Sequence, residues 1–294
     1  MAIKLYKHQQ EALTKMKNGC ILNGGTGSGK SITALAYYFT QEGGELDPYV
    51  PMKTPRDLYI ITTARKRDDM EWEGELAPYL LSTKPENNYF YGNKVVVDSW
   101  NNIKKYVDVK DSFFIFDEQR VVGYGTWAKS FLKITKSNSW ILLSATPGDD
   151  WCDYIPVFIA NGFYRNKWEF EYEHVVYSRY VKYKIDRYIG LERLERLRNR
   201  ILIDMDFDRK TVQHHEDVYC QFDTPKYKDA IRNRWDPYKN EPIQQASSLC
   251  YILRRIVNED DSRQQILLEL FEKHTKLIVF YNFDYELDIL REIY

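Results

Sequence analysis

The chain has 294 residues, of which 44% are hydrophobic and 15% aromatic; this is enough to bury a substantial core and excludes an intrinsically disordered protein. Its 42 basic and 43 acidic residues leave a net charge of −1, so a polyanion would have to bind at a local patch. Four scattered cysteines form no CxxC pair, which argues against a zinc site or a disulfide framework. The sequence shows neither a signal core nor a long apolar stretch, and we therefore expect a cytoplasmic protein that does not enter a membrane.

The first half of the chain repeats one pattern, in which a strand-length apolar run is followed by a polar loop and then by helical periodicity. These runs lie at 20–25, 58–63, 94–99, 112–118 and 140–146. The alternation predicts an α/β fold, a mostly parallel sheet with helices on both faces.

The composition changes after Pro147. A stretch rich in Tyr, Arg and Glu leads to a helix whose leucines begin at Leu191, and a strand-like segment follows at 212–223. A helical region covers about 243–273. A final apolar run at 276–282 reads as the first strand of another sheet, followed by the start of a helix.

A phosphate-binding loop is predicted at residues 24–31, GGTGSGKS, which match G-x-x-x-x-G-K-[ST] between an apolar strand and a helix. Glycines allow the backbone N–H groups to surround phosphates, and the start of the helix adds partial positive charge. Lys30 would reach the β and γ phosphates, and the Ser31 hydroxyl would bind Mg²⁺. The predicted ATP-binding residues of this loop are Gly25, Thr26, Gly27, Ser28, Gly29, Lys30 and Ser31.

An acidic pair is predicted beside this loop. The apolar run at 113–116 leads directly into Asp117 and Glu118, which places both carboxylates at the carboxyl edge of the sheet. Asp117 would hold Mg²⁺ through its water shell, and Glu118 would orient the attacking water. Lys30, Asp117 and Glu118 are the predicted catalytic residues, with ATP and Mg²⁺ as cofactors.

The order of these motifs resembles that of superfamily 2 helicases over about residues 3–150. LYKHQQEAL at 5–13 is similar to the family element whose glutamine reads adenine, which implies that Gln9 binds adenine, with Gln10 a weaker candidate. DEQR at 117–120 resembles the DEAD/DEAH box, although its last two residues differ, and SATP at 144–147 resembles motif III. The resemblance implies that nucleotide state is coupled to motion by four residues, Gln119, Arg120, Ser144 and Thr146. A capped strand end is the alternative role for Ser144 and Thr146.

Residues 60–76, the segment after SATP, and residues 248–287 resemble the Swi/Snf-type branch, whose members track along duplex DNA; several phage-encoded helicases share the overall pattern. This implies a RecA-like ATP-binding domain at 1–160, a helical and extended linker region at 161–272, and the truncated start of a second RecA-like domain at 273–294. The linker region contains a basic, tyrosine-rich stretch at 164–200. We interpret that stretch as a solvated linker helix, with an accessory duplex-gripping element as the alternative.

The same resemblance implies contacts with nucleic-acid phosphates that are independent of base sequence. The residues implied are Thr63, Arg65, Lys66, Ser99 and Trp100. For the basic cluster the alternative is a solvated helix start, and for Trp100 it is core packing.

Together these features predict an ATP-dependent DNA translocase or helicase, acting in phage-type replication or recombination in the host cytoplasm, with replication proteins as possible partners. DNA would bind as a duplex or a single strand, and RNA is not excluded. The alternative is a nucleotide-gated module that binds DNA or protein without full ATPase activity, because motifs V and VI do not follow and the resemblance places the arginine fingers in motif VI. A small-molecule kinase is disfavoured, because Gln9 and SATP flank the loop in the family's order.

Overall fold

A computed structural model describes residues 3–87, 90–118, 125–207 and 214–293. Contacts divide the chain into two units, Met1–Lys210 and Thr211–Tyr294. No helix in the described ranges is long and apolar enough to span a membrane.

The first unit is built around a parallel sheet. The strands found among its described residues are β1 (Ile21–Asn23), β2 (Glu45–Leu46), β3 (Tyr49–Val50), β4 (Leu58–Thr62), β5 (Val95–Ser99), β6 (Phe113–Asp117), β7 (Ser139–Ser144), β8 (Val175–Tyr177), β9 (Ile185–Tyr188) and β10 (Leu202–Asp204). Six of them form one sheet in the order β10-β1-β7-β6-β4-β5, and β2–β3 and β8–β9 form separate antiparallel pairs. All neighbours in the large sheet are parallel, as the alternating pattern predicts.

Helices cover both faces of this sheet. They are α1 (Lys7–Lys15), α2 (Lys30–Gln41), α3 (Ala64–Asp68), α4 (Glu71–Leu76), α5 (Thr126–Ile134), α6 (Ile155–Ala160), α7 (Lys167–His174) and α8 (Leu191–Ile201). Successive strand residues point to opposite faces, so Ile60 joins a core cluster with α1, α2 and α4, whereas Ile61 joins a second cluster with α5 to α8. The predicted α/β architecture is confirmed.

The strand β10 was not predicted from the sequence. Leu202–Asp204 follow α8 directly and pair with β1, which therefore has a partner strand on each side. The Asn23 amide also donates to Asp204 Oδ1 at 2.6 Å. The segment after residue 160 thus completes the first sheet, and the boundary drawn from the sequence at residue 160 falls inside the first unit.

The second unit contains four helices and a short strand pair among its described residues. These are α9 (Thr224–Asn233), β11 (Trp235–Asp236), β12 (Glu241–Pro242), α10 (Ala246–Asn258), α11 (Asp261–Lys273) and α12 (Asp284–Ile293). A small core cluster joins Ala230, Ile243, Ile252 and Ile256. The predicted helical region at 243–273 is confirmed as α10 and α11.

Two strands predicted for this part of the chain are absent from the described residues. Residues 214–223 and 276–282 have no regular secondary structure, and Ile278 and Phe280 are 81% and 88% exposed. A strand is stable only when a neighbour pairs its N–H and C=O groups, and the described part of the unit offers these segments none. An apolar run alone was therefore insufficient to predict a strand.

Candidate active site

The phosphate loop lies between β1 and α2, at the carboxyl edge of the sheet. Gly27 and Gly29 have φ angles of 81° and 80°, which a residue with a side chain adopts only under strain. A Cβ at Gly25 or Gly27 would meet no atom within 4 Å, so these backbone segments border open space. The loop therefore offers bare peptide groups of the kind that phosphate binding requires.

Lys30 is the first residue of α2 and turns back over the loop. Its ammonium donates to the carbonyl oxygens of Gly24 at 2.6 Å and Gly25 at 3.1 Å. Burial lowers the pKa of Lys30, while the charges of Asp117 and Glu118 oppose this change. The lysine is thus within electrostatic reach of both predicted acids. Ser31, the next residue of α2, is half-buried.

Gln9 on α1 packs directly against the loop. It is 4% exposed, its Nε2 donates to the Ser28 carbonyl at 3.3 Å, and its Oε1 accepts the Tyr6 N–H at 2.8 Å. A Cβ at Gly29 would displace this carboxamide, and the φ angle of 80° independently favours glycine there. Each end of a carboxamide can form a further hydrogen bond, which leaves Gln9 able to bind a base as well.

The residues on either side of Gln9 differ in their relation to the loop. The His8 ring lies 3.0 Å from the Ser28 carbonyl oxygen through Nε2, and its centroid is 5.1 Å from that of Phe207. The Gln10 amide donates instead to the Leu5 carbonyl at 3.0 Å. Of the two glutamines, Gln9 is therefore the one that contacts the phosphate loop.

Asp117 ends β6 and is 1% exposed. Its Oδ2 accepts hydrogen bonds from Thr62 Oγ1 at 2.8 Å and from Lys66 Nζ at 3.1 Å. Burial raises the pKa of Asp117 despite the opposing effects of Lys66 and Thr62. The indole N–H of Trp100 donates to the Asp117 carbonyl oxygen at 2.9 Å and fixes the strand end from the other side.

Glu118 follows with a φ angle of 55°, in the left-handed region. Its N–H donates to the Leu143 carbonyl of β7 at 3.2 Å, and its carboxylate lies 2.8 Å from Lys66 Nζ. A left-handed conformation costs a non-glycine residue about 1–2 kcal/mol, so its surroundings must hold it in place. Here the backbone bond to β7 and the ion pair with Lys66 fix the position of the carboxylate.

Lys66 therefore bridges both acids, a role that the sequence did not predict. Burial alone would lower the pKa of Lys66, but the hydrogen bonds and negative charges of Glu118 and Asp117 outweigh burial and raise it. The ammonium stays protonated and neutralises part of the charge of the acidic pair.

The predicted coupling residues lie partly within the described chain. Ser144 ends β7 next to the phosphate loop, since its carbonyl oxygen accepts the Gly24 N–H at 3.1 Å. Its hydroxyl accepts the Thr146 N–H at 3.1 Å, which is the local capping arrangement. Gln119 and Arg120 lie outside the described residues.

The fold was compared with solved structures. The Sulfolobus solfataricus SWI2/SNF2 ATPase core in complex with dsDNA matches with a TM-score of 0.54 at 16% identity, over 99% of this chain and 70% of that chain. The SWI2/SNF2 ATPase core domain of the same organism gives a TM-score of 0.48 at 16% identity, with coverages of 99% and 68%. The Pyrococcus furiosus Hef helicase domain gives 0.39 at 19% identity, with coverages of 53% and 35%.

The first of these matches decides the fold, because it covers nearly the whole chain. The chain shares its fold with this SWI2/SNF2 ATPase core. Neither the protein-family models nor the curated protein sequences give a match.

In this fold, the residues predicted to contact nucleic acid occupy different environments. Arg65 is exposed and forms a long ion pair with Asp69 at 3.4 Å. Thr63 caps α3 by accepting the Lys66 N–H at 3.3 Å, and Lys66 faces the acidic pair.

The other two predicted contacts, Ser99 and Trp100, are buried, with exposures of 2% and 3%. The Trp100 indole packs in the second core cluster, 5.5 Å from the Phe116 ring centroid. A tryptophan side chain is most stable where its ring is shielded from water and its N–H has a hydrogen-bond acceptor. The carbonyl oxygen of Asp117 is that acceptor. Core packing, the alternative raised from the sequence, describes Trp100, and a direct contact with nucleic acid does not.

Thr62 is a site residue that sequence reasoning missed. It ends β4, is buried, and donates to Asp117 because β4 and β6 are parallel neighbours in register. A threonine at the end of a strand was visible in the sequence. What the sequence does not show is which strands are neighbours.

Proposed function

We propose that this chain is a nucleic-acid-dependent ATPase that moves along DNA as a translocase or helicase. The observation that carries the proposal is the meeting of the open phosphate loop with Asp117 and Glu118 at one sheet edge, with Lys30 within electrostatic reach of both. These groups are the loop, the metal-binding acid and the water-orienting acid that phosphoryl transfer from ATP to water requires.

The residues of the site have distinct roles in this proposal. The N–H groups of residues 25–29 would bind phosphate oxygens, and Lys30 would exchange the loop carbonyls for the β and γ phosphates. Ser31 and Asp117 would hold Mg²⁺, which supplies charge to stabilise the departing diphosphate. Glu118, held at the rim of the sheet edge, would orient the water.

Lys66 acts as a positioning residue in this account. Its ammonium contacts both acids, and it lies on α3 next to the exposed Arg65. One short helix thus carries a cation directed at solvent and a cation directed at the acidic pair. A shift of α3 on binding a polyanion would alter the position of the two carboxylates, which is a direct route from polymer binding to ATP hydrolysis.

DNA is the proposed partner. One solved structure similar to this chain over most of its length contains a SWI2/SNF2 ATPase core in complex with dsDNA, which supports duplex DNA as the first polymer to test. Single strands and RNA are alternative outcomes of the same test. Replication proteins as partners, a phage origin, and a place in replication or recombination in the host cytoplasm rest on the sequence resemblance alone and stay predictions.

The assignment of the site is tested by measuring ATP binding and phosphate release with two variants. Lys30→Ala should lose both, because the cation that the phosphates require is gone. Glu118→Gln should keep ATP binding but hydrolyse at least about 10²-fold more slowly, because the carboxylate that orients the water is neutralised. Lys228→Ala, at an exposed position of the second unit, is the control and should match the wild type.

Turnover at the wild-type rate in both site variants would contradict the assignment. ATP binding by the wild type without any turnover would favour the nucleotide-gated binding module instead.

A further inference from the structure

A hairpin with a fixed base and an exposed tip projects from the first unit. Its strands β8 and β9 pair antiparallel, with Val175 opposite Tyr188, and both residues pack against the second core cluster. The base is closed by a reciprocal pair of bonds, in which the Ile189 N–H donates to the His174 carbonyl at 2.9 Å and His174 Nδ1 lies 2.8 Å from the Ile189 carbonyl oxygen. The hairpin is therefore anchored in the folded core.

The tip, residues 178–184, is organised by its own hydrogen bonds. The Ser178 N–H donates to the Lys184 carbonyl at 2.8 Å, and the Ser178 hydroxyl accepts the N–H groups of Tyr180 at 3.2 Å and Val181 at 3.3 Å. These bonds fix the loop backbone before any partner binds, so binding would cost little further backbone entropy.

The side chains of the tip combine aromatic rings with positive charge. Tyr180 and Tyr183 are 95% and 81% exposed, although a tyrosine ring is costly to leave in water without a partner. The cations of the tip are Arg179, Lys182 and Lys184. None of them forms an ion pair with another residue that the structure describes, and Lys182 Nζ lies 4.9 Å from the centroid of the Tyr183 ring.

This local composition differs from that of its surroundings. The tip has three cations and no acid, while the whole chain has a net charge of −1, and the nearest acid along β9 is Asp186. The neighbouring helix α7 also exposes aromatic rings, Trp168 and Tyr172, but these lie among Glu169, Glu171 and Glu173, which would repel a polyanion. Of these two neighbouring elements, the tip is the one whose exposed rings lie among cations, although Glu171 of α7 lines the same cavity as Lys182 and Tyr183. Exposed rings among cations fit a phosphate backbone carrying accessible bases.

We propose that the hairpin tip binds single-stranded nucleic acid, with unpaired bases stacked on Tyr180 and Tyr183 and phosphates paired with Arg179, Lys182 and Lys184. Stacking on exposed aromatic rings together with phosphate contacts by flexible cations is how proteins bind single strands without base-sequence preference. A blunt duplex offers phosphates but keeps its bases paired. This proposal rests on the proposed function, because it adds a second contact with the same polymer.

The test is the affinity of the full chain for a labelled oligothymidine strand, a blunt duplex, and a duplex with a single-stranded tail, measured by fluorescence anisotropy. Tyr180→Ala with Tyr183→Ala should weaken binding of the single strand by about 10- to 100-fold and leave the blunt duplex unchanged. Tyr180→Phe with Tyr183→Phe should keep wild-type affinity, because the rings remain. Tyr219→Ala, which removes a ring that is 89% exposed in the second unit, is the matched control.

The cations are tested separately through salt dependence. Replacing Arg179, Lys182 and Lys184 by alanine should reduce the slope of log affinity against log salt concentration for the single strand by about 2, since each phosphate contact contributes roughly 0.7. Lys228→Ala should leave the slope unchanged.

The outcomes separate this proposal from the proposed function. If the double alanine variant binds the single strand as tightly as the wild type does, the hairpin proposal is overturned, while polymer-stimulated ATP hydrolysis by that variant would leave the proposed function standing. If the wild type binds none of the three nucleic acids, and none stimulates its hydrolysis of ATP, both are overturned.

Discussion

Two adjacent residues of one helix face opposite environments in this molecule. Lys66 is paired with Asp117 and Glu118 at 3.1 and 2.8 Å, whereas the side chain of Arg65 is 88% exposed and pairs, among the described residues, with Asp69. From their positive charge alone, both residues would be expected to contact phosphates. Their geometry places Lys66 against the acidic pair at the sheet edge and Arg65 at the surface.

This difference predicts that the two positions respond oppositely to loss of charge. Lys66→Met should lower ATP hydrolysis by about 10- to 100-fold, the usual effect of removing a partner that orients metal-binding groups, and leave nucleic-acid affinity unchanged. Arg65→Met should weaken nucleic-acid binding while preserving hydrolysis at saturating polymer. Steady-state hydrolysis and DNA affinity, measured for both variants, test this prediction. The reverse pattern would show that Lys66 is a polymer contact.

Asp98 has a structural role on the strand next to β4. It accepts hydrogen bonds from Asn102 at 2.8 Å, Tyr106 at 2.6 Å and Arg67 at 3.2 Å. Burial acts to raise the pKa of Asp98, but these donors and the Ser99 N–H together lower it to about 2. The network joins α3 to β5 and so supports the helix that carries Lys66.

The lowered pKa of Asp98 determines how its contribution to folding stability changes with pH. The ionised Asp98 stabilises the folded chain at pH values above its ordinary pKa of 3.8, and this stabilisation is lost as pH falls toward 2. Asp98→Asn should therefore lower the free energy of unfolding by about 1–2 kcal/mol at pH 7. By pH 3 the difference from the wild type should be smaller, as urea denaturation at both pH values will show. Exposed Asp108→Asn is the control, and a difference that grows on acidification would contradict this role.

Among the elements, the 3₁₀ turn Trp100–Tyr106 determines how firmly the acidic strand end is held. It follows β5, and its first residue places an indole N–H on the carbonyl of Asp117 while the ring packs beside Phe116. The end of β6 is thus held by a residue from the segment that follows β5.

Trp100→Phe keeps an aromatic ring but removes the N–H donor. We expect a loss of about 1 kcal/mol in the free energy of unfolding, because the buried carbonyl is left with one partner fewer, and a lower rate of ATP hydrolysis with unchanged DNA affinity. Trp168→Phe, at a ring that is 68% exposed, should change neither stability nor hydrolysis. Weaker DNA binding by Trp100→Phe at wild-type stability would instead restore a contact role to this tryptophan.

The elements that could be predicted from the sequence are those with strong local signals. β1, β4, β5, β6 and β7 follow their apolar runs closely, and the glycine spacing of 24–31 located the phosphate loop. β10 was missed because three residues directly after a helix have no periodicity of their own and become a strand only through pairing with β1. The prediction of a strand at 276–282 was wrong for the converse reason: the segment has the local apolar signal, but no described neighbour pairs with it.

The site shows the same division between local and long-range information. Lys30 and Asp117 were predicted from motifs, because the contiguous residues of each motif determine the local backbone conformation. The bridge by Lys66, the hydrogen bond from Thr62 and the burial of Trp100 depend on strand order, which brings together residues far apart in sequence. Periodicity and spacing contain little of that information.

At the scale of the whole molecule, every described residue of the candidate active site lies in the first unit, Met1–Lys210. The hairpin tip with Tyr180 and Tyr183 is part of the same unit. One sheet therefore supports both the candidate active site at its carboxyl edge and, through the segment after residue 160, a proposed contact with the polymer.

In the proposed function, nucleic acid controls ATP hydrolysis by this chain. The most direct measurement is the steady-state hydrolysis rate of the full chain as the concentration of duplex DNA, single-stranded DNA or RNA is increased. We predict that DNA raises the rate to a plateau and that Lys30→Ala abolishes hydrolysis at every concentration. A wild-type rate that is the same with and without all three polymers would contradict the account.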